Sequence, residues 1–409
     1  MTIAALAEEE AAEGDRAQLT SVRAVVLSDI HATVEPDSEQ THVAKASAEL
    51  TEGNALTAAR TRLKEEFNAA DLVLCPGDMV HRGDPKPMEW VWEELQGIAS
   101  DLGAVLIGAV GNHDLLREPS KGQEPTEELR LLKPKFPHAD EDCRKGYWAD
   151  AFGVLEGENW RVLSLNSCAL HGGFDQSEAE FGRLKERSVL EMEEYFASCG
   201  ARPAVNICMC HHHPQEWSHG GERETKHLLG GDLLINLLDS RPERWMLLHG
   251  HKHYPALGYF GHSTHGPVRL AAASVGINLM ADTGVEVRNQ MHVIDFDLGA
   301  RETLGLPMAG EIRSFTWDGA GWHPADSGGL PGLAGFGYRR DGAELAHELR
   351  GRSEGLGRGV WTWEQIVAEL DPRVPFLTPA DRSALLEGIR DLGGGIADDE
   401  HGFLQVTLP

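Results

Sequence analysis

Side chains of the types that bind metal ions follow five short apolar stretches of this sequence, at the point where each stretch ends. Carboxylate, amide and imidazole groups are ligands for ions such as manganese, iron and zinc. The carboxyl ends of parallel strands meet at one edge of a sheet, so the pattern predicts a metal site at that edge. The stretches, residues 25–27, 72–75, 104–110, 204–210 and 245–248, are followed by Ser28-Asp29-Ile30-His31, Pro76-Gly77-Asp78, Gly111-Asn112-His113-Asp114, His211-His212-His213-Pro214 and His249-Gly250-His251-Lys252-His253.

Asp78 is the first candidate for a functional role. Pro76 and Gly77 interrupt an apolar run, which predicts a buried strand that stops sharply and presents Asp78 at its C-terminal end. A single Asp in this position is more typical of a turn or a cap. The other four stretches are what favour the metal site over that simpler interpretation.

The order of these motifs resembles a known family. D-x-H, G-D, G-N-H-D, a His after a strand and G-H-x-H occur in this order within residues 21–325, and the chain is therefore similar to the calcineurin-like metallophosphoesterases. The resemblance implies a four-layer α/β/β/α metallophosphoesterase sandwich, with the metal ligands on loops at one edge of the sheets.

The resemblance also implies a dinuclear metal centre, with Mn, Fe or Zn as candidates that the sequence does not separate. Two metal ions roughly 3.5 to 4 Å apart neutralise a phosphoryl group and produce hydroxide at neutral pH, and they require a bridging carboxylate. Asp78 takes that role. Pro214 selects His212 as the ligand in its triplet, because the family's ligand His lies two residues before a Pro, and His211 is the fallback. The remaining ligands are Asp29, His31 and His253 for one ion and Asn112, His212 and His251 for the other.

Catalytic and substrate-binding roles follow from the same resemblance. His113 would contact the phosphate and protonate the leaving oxygen, and Asp114 would orient its imidazole. The attacking group would be a metal-bound hydroxide. Arg82 is a candidate either for phosphate binding or for pairing with an acid. Arg223 belongs to a polar, basic stretch, residues 217–227, which is predicted to form one wall of the substrate pocket, with an ordinary surface loop as the alternative.

The elements that must position these residues have an α/β pattern. Residues 41–68, 87–102 and 175–198 have helical character and lie between apolar strand-like runs, which predicts β-α-β crossovers. Residues 117–142 are polar and long and are expected to form an excursion over the site; the sequence does not say whether this loop acts as a lid.

The domain organisation is predicted from shifts in composition. Residues 1–20 form an N-terminal tail, 21–325 the catalytic domain and 326–337 a Gly-rich linker. Residues 338–409 form a small, mainly helical module, with helices at 341–349, 362–370 and 378–392 and a strand at 403–408, that weakly resembles a winged helix. This module contains no Lys and more acidic residues than Arg. Docking to a protein partner, or to the catalytic domain itself, is therefore favoured over DNA reading.

Charge and composition argue against several classes of protein. The net charge of −28 argues against broad contact with nucleic acid, whose binding depends on Lys and Arg. Residues 1–20 lack the features of a signal peptide, and no apolar run is long enough to span a membrane. The six cysteines show no C-x-x-C spacing, which favours a reducing, cytoplasmic environment.

The sequence thus predicts a dinuclear metal-dependent phosphoesterase. A phosphodiesterase is favoured over a monoesterase, because Asn112 with the full His set resembles the class III cyclic-nucleotide phosphodiesterases and related glycerophosphodiesterases, and nucleotides are among the candidate substrates. Two alternatives stay open. One is a nuclease of the Mre11 or SbcD kind, and the other is a non-catalytic scaffold in which the metal site stabilises the fold and residues 338–409 recruit a protein partner.

Overall fold

Two β-sheets and flanking helices make up the body of the protein. A computed structural model describes residues 21–33, 54–81, 83–116, 124–171, 178–199, 203–219, 222–261, 266–277, 279–280, 286–326, 328–398 and 404–408. Its strands are β1 (Ser21–Val26), β2 (Leu72–Cys75), β3 (Val105–Gly108), β4 (Phe152–Glu156), β5 (Trp160–Leu165), β6 (Val205–Cys210), β7 (Trp217–His219), β8 (Glu222–Glu224), β9 (Met246–His249), β10 (Ala256–Tyr259), β11 (Val268–Ala271), β12 (Leu279–Met280), β13 (Glu286–Val287), β14 (Gln290–Asp297), β15 (Gly310–Trp317), β16 (Trp322–Pro324), β17 (Leu333–Phe336), β18 (Val360–Thr362), β19 (Gly395–Asp398) and β20 (Leu404–Thr407).

The α-helices are α1 (Ala55–Glu66), α2 (Pro85–Leu102), α3 (Glu127–Leu131), α4 (Glu141–Ala149), α5 (Glu178–Phe181), α6 (Glu186–Ser198), α7 (Gly231–Asp239), α8 (Ala300–Leu304), α9 (Gly342–Leu356), α10 (Trp363–Gln365, continued as a π-helix over Ile366–Leu370) and α11 (Pro379–Asp391). Within the described residues, the helix predicted at 41–68 corresponds to α1. The helix predicted at 175–198 corresponds to two helices, α5 and α6. Helix α2 begins after Asp84, whose side chain accepts from the Lys86 amide, and ends at Gly103, where φ is 67°. The Asp84 cap fixes the start of this helix, and the left-handed glycine fixes its end.

The strands form two mixed sheets. The first has the order β16-β15-β14-β1-β2-β3, with β17 also paired to β15, and the second has the order β10-β11-β9-β6-β5-β4. Strands β1, β2 and β3 run parallel to one another. In the second sheet β5, β6, β9 and β11 are also parallel. Each sheet therefore has a block of parallel strands whose carboxyl ends share an edge.

Alternating side chains along each strand pack into different layers. In β2, Leu72 and Leu74 lie in the core between the two sheets, whereas Val73 and Cys75 lie in the core shared with α1 and α2. In the second sheet, Cys208 packs with residues of α6 and α7 on the outer side. Because strand side chains alternate between faces, both faces of both sheets are covered. The predicted four-layer α/β/β/α sandwich is confirmed.

The C-terminal module packs around its own core. Helices α9, α10 and α11 pack with a three-stranded sheet in the order β18-β20-β19; β18 lies between α9 and α10 in the chain, and β19 and β20 follow α11. The predicted cap at Thr362 is present, because its side chain accepts from the Gln365 amide in a capping box. The buried Trp361 lies in the same core as Ala300 and Leu306, which precede the module in the chain. The module is therefore fused to the body of the protein through shared apolar packing.

The segment predicted as a linker is part of the first sheet. Within residues 326–337, β17 pairs antiparallel with β15, from Gly310↔Phe336 to Arg313↔Leu333. A Cβ atom on Gly335 would lie 1.8 Å from the Pro375 carbonyl oxygen, so this glycine permits close packing of the backbone rather than chain flexibility. The long-range pairing with β15 is what the local composition does not reveal. Within the described ranges, no helix has the length and apolar character needed to cross a bilayer.

Candidate metal centre

Loops at the carboxyl ends of β1, β2, β3, β6 and β9 meet at the edge shared by the two sheets. Backbone hydrogen bonds tie the loops together, for example from the Asp29 amide to the Gly77 carbonyl (3.0 Å) and from the Gly250 amide to the His211 carbonyl (3.1 Å). The Val275 amide donates to the Ser28 carbonyl at 2.9 Å. The sheet geometry thus gathers the five predicted motifs into one place.

The backbone of this edge is strained at the site residues. Asp29, His31, Asp78, His251 and His253 have φ between 48° and 80°, and Ala151 is the one other non-glycine residue with positive φ in the described part of the chain. The left-handed region costs free energy for residues with a Cβ atom, so such conformations persist where the surrounding structure imposes them. The concentration of strain at five candidate ligands makes this edge the candidate functional site.

The first group of candidate ligands consists of Asp29, His31, Asp78 and His253. The Nε2 atoms of His31 and His253 lie 3.1 Å apart. His31 Nε2 lies 3.5 Å from Asp78 Oδ2, and His253 Nε2 lies 3.3 Å from Asp29 Oδ1. One ligand atom from each residue falls within 4.8 Å of all the others. Two carboxylates and two imidazoles therefore converge on one small volume.

The second group shares Asp78 with the first. His211 Nε2 lies 3.2 Å from Asp78 Oδ2 and 3.0 Å from Asn112 Oδ1. His251 Nδ1 lies 3.0 Å from the same Asn112 oxygen. Asp78 Oδ2 thus stands between the two groups, where a carboxylate could bridge two ions.

These spacings fit metal ions. Bonds of about 2.1 Å from one metal to N and O ligands place neighbouring ligand atoms about 3.0 to 3.4 Å apart in octahedral or tetrahedral geometry. The contacts in both groups, between 3.0 and 3.5 Å, match that range. Electron-rich atoms packed this closely in a buried site require a positive charge among them, either protons or metal ions.

Two of the imidazoles are held so that one nitrogen faces the site. His211 Nδ1 donates to the Pro76 carbonyl at 3.0 Å, and His251 Nε2 donates to the Glu180 carbonyl at 3.1 Å. Each carbonyl accepts one ring N–H and so directs the other ring nitrogen toward the ligand cluster, where a metal ion would take the place of any proton, as is usual for metal-binding His. The same geometry places α5, which carries Glu180, beside the centre.

Burial and neighbouring charges shift the pKa values of these groups. Burial lowers the pKa of His31 and of His251 well below the usual value, which keeps both imidazoles neutral and able to bind metal. Burial alone would raise the pKa of Asp78 and lower that of His211. The opposite charge of the partner outweighs burial in both cases, so the pKa of Asp78 is held well below its usual value and that of His211 is raised to about 9.

Comparison with known proteins decides the family. A family model described as Calcineurin-like phosphoesterase matches residues 22–255, more than half of the 409 residues. The chain belongs to the calcineurin-like phosphoesterase family. A second family model, described as wHTH-Calcineurin_assc, matches residues 334–388, and the C-terminal module is winged-helix-like, as predicted.

Solved structures of this phosphoesterase fold are similar at low sequence identity. A dimetal phosphatase from Danio rerio matches with a TM-score of 0.43 and 10% identity, over 67% of this chain and 95% of that one. A purple acid phosphatase from yellow lupin seeds matches with a TM-score of 0.44 and 13% identity, over 73% of this chain and 52% of that one, so this match spans about half of the lupin protein. No curated protein matches the chain significantly.

In this calcineurin-like phosphoesterase, the structure brings His211, the fallback to the predicted ligand His212, next to Asp78 and Asn112. His212 is also buried, but its Nδ1 lies 2.8 Å from the Ser167 hydroxyl oxygen, and it belongs to no ligand group found in the described residues. The prediction counted back from Pro214, whereas the strand end presents the residue one position earlier. A one-residue change of register at a strand end changes which side chain faces the site.

Asp114 contacts the backbone of two of these loops. Its carboxylate accepts from the backbone amides of Asp78 (3.0 Å), Val80 (3.1 Å) and Gly111 (2.9 Å). It therefore holds together the two loops that carry Asp78 and Asn112. The role predicted from the sequence, orientation of the His113 imidazole, stays a prediction. Burial and the nearby Asp78 carboxylate raise the pKa of Asp114 to about 7.

The other predicted residues lie as follows. His113 is half-buried beside His31, with ring centroids 4.8 Å apart. Arg82 lies outside the described residues, and the description of Arg223 covers only its backbone in β8. Near this strand, Lys226 pairs with Glu180 at 2.7 Å. The sequence reasoning did not assign a role to His81, although it lies only three residues after Asp78 and its ring stacks on that of His113.

Proposed function

We propose that this calcineurin-like phosphoesterase hydrolyses phosphodiesters with the aid of two metal ions. Asp29, His31, Asp78 and His253 would hold one ion, and Asp78, Asn112, His211 and His251 the other. The observation that carries the proposal is the position of Asp78 Oδ2, 3.5 Å from His31 Nε2 and 3.2 Å from His211 Nε2. A single buried oxygen thus belongs to two ligand groups, as a dinuclear centre requires.

The two ions would neutralise charge on the phosphoryl oxygens and supply an activated water. The chain's own residues account for the rest. Asp78 Oδ1 accepts from the backbone amide of His113 at 2.8 Å, so the bridging carboxylate and the imidazole that would serve the leaving group are fixed relative to each other. His113 is only half-buried, so its side chain is more accessible than the buried ligands Asp29, His31 and Asp78, as a general acid that meets the substrate must be. Rigid placement of this kind is how a site lowers the entropic cost of reaction.

Two observations favour diesters over other phosphate esters. The set of Asn112 and imidazoles resembles that of the class III cyclic-nucleotide phosphodiesterases. The net charge of −28 opposes the approach of highly charged anions and disfavours polyanionic nucleic acid most strongly, because long-range repulsion grows with ligand charge. A diester carries a single negative charge, whereas a monoester carries nearly two.

The experiment compares hydrolysis of bis(p-nitrophenyl) phosphate, p-nitrophenyl phosphate and single-stranded DNA by protein loaded separately with Mn, Fe and Zn. We expect the highest kcat/KM for the diester. Asp78→Asn should lose this activity, whereas Asp142→Asn, at a residue whose side chain is 97% exposed, should retain it. Faster turnover of the monoester would refute diester preference, and turnover of DNA alone would support a nuclease. A folded protein that hydrolyses none of the three would refute the proposal as a whole.

A further inference from the structure

The loop that follows Asp78 is held on both sides by backbone hydrogen bonds. On one side, His31 and Ala32 donate to the Asp78 and Met79 carbonyls, and the His81 amide donates to the Ala32 carbonyl, all at 3.0 Å. On the other side, the Gly83 amide donates to the His113 carbonyl at 2.7 Å. The position of His81 is therefore fixed by the same loops that carry the candidate ligands and His113.

The side chain of His81 lies beside two residues of the site. Its ring stacks on that of His113, with centroids 5.1 Å apart and an angle of 28° between the planes, and it lies 5.9 Å from the ring of His31. A ring nitrogen from each of the three imidazoles falls within 4.8 Å of the others. His31 is 2% exposed, whereas His81 and His113 are half-buried. The stacked pair is thus the part of the cluster that is more accessible to a substrate.

We propose that His81 is a second phosphate-contacting residue, which acts with His113 to bind the phosphoryl group of the substrate. This inference rests on the proposed function. His31 Nε2 lies 3.1 Å from His253 Nε2 in the first ligand group, so within this cluster of three we assign His31 as the ligand and give His81 and His113 the role of N–H donors. Two stacked imidazole donors, with ring centroids 5.1 Å apart, would contact neighbouring oxygens of one anion. His81 would thereby position the ester while His113 serves the leaving group.

The test measures binding of inorganic phosphate to the Mn-loaded protein by calorimetry, together with metal content by mass spectrometry. His81→Phe retains an aromatic ring for stacking but loses the donors, whereas His81→Gln retains a donor without the ring. Loss of one hydrogen bond to a charged group corresponds to a factor of about 10 or more in affinity. We expect His81→Phe to weaken phosphate binding by at least about tenfold, with the metal content unchanged, and His81→Gln to lie close to the wild type. The matched control is His347→Phe, at an exposed position in α9.

The outcomes separate this inference from the function on which it rests. If the wild type binds metal and phosphate, and His81→Phe binds phosphate equally well, the role of His81 is refuted and the proposed function stands. If both variants lose affinity equally, the stacked ring rather than the N–H donor is required, and the role of His81 is likewise refuted. A wild type that binds neither metal nor phosphate would refute the proposed function and this inference together. A separate readout is the KM for bis(p-nitrophenyl) phosphate, which should rise more in His81→Phe than kcat falls.

Discussion

Gly111 is the residue at which a single methyl group should damage the metal centre most directly. A Cβ atom at this position would lie 2.1 Å from both the backbone nitrogen and the Oδ1 atom of Asp78. Its φ is −95°, so alanine fits the local backbone and the conflict is purely steric. Gly111→Ala therefore tests whether the close approach of these two loops is what sets the position of the bridging carboxylate.

The size of the effect follows from the distances. An ordinary contact begins at 3.4 Å, so the two loops must separate by about 1.3 Å to admit the methyl group. Metal sites tolerate deviations of about 0.2 Å in ligand distance, and second-shell changes commonly reduce metal affinity about 10- to 100-fold. Overpacking also lowers the free energy of unfolding by about 1 to 3 kcal/mol, which the reduced flexibility of the unfolded chain offsets by less than about 1 kcal/mol.

The assay combines titration with Mn²⁺ and urea unfolding of the purified protein. We expect weaker metal binding in the range given above and a net loss of stability. Gly351→Ala is the matched control, because this glycine lies within α9 and its Cβ would meet no atom within 4 Å; it should raise stability by about 0.5 to 1 kcal/mol and leave metal binding unchanged. A Gly111→Ala protein with wild-type metal affinity would show that the contact between these loops does not position Asp78.

Two further predictions concern histidines. His211→Ala should reduce bound metal from about two ions per chain to about one, whereas His212→Ala should retain both; mass spectrometry of the dialysed proteins would contradict the structural assignment if the two results were exchanged. Burial lowers the pKa of His292 to about 4 from an ordinary 6.5. Because the folded protein disfavours the protonated imidazole, the free energy of unfolding is highest above pH 6.5. It decreases as the pH falls through 4, by about 3 kcal/mol in all. Urea unfolding at pH 7 and pH 4 should show a smaller pH dependence for His292→Asn, and an equal dependence would exclude this contribution.

The sequence predicts the fold well because the informative features are local. Each of the five apolar runs is long enough to be recognised as a strand, and the polar residues follow directly in the chain. Parallel strands then impose the convergence, since their carboxyl ends share an edge. The presence of Asp29, Asp78 and Asn112 at one edge could therefore be anticipated from a single chain.

The remaining features depend on contacts between distant residues. Three consecutive histidines give no local signal for which one faces the site, and the structure places His211 there through its bond to the Pro76 carbonyl. The hydrogen bonds of Asp114 go to backbone amides up to 36 residues away. Similarly, the Gly-rich composition near Gly335 is typical of a linker, and only its pairing with β15 reveals a strand. Composition and spacing do not encode such long-range partners.

The measurement that tests the central claim most directly is the number of metal ions per chain in purified wild type and in Asp78→Asn. Asp78 Oδ2 belongs to both ligand groups, so its replacement should disturb both ions at once. We predict close to two ions per wild-type chain and fewer than one in the variant, with the fold of both proteins retained by circular dichroism. A folded wild type that binds no more than one ion, or an Asp78→Asn protein that keeps two, would contradict the dinuclear centre.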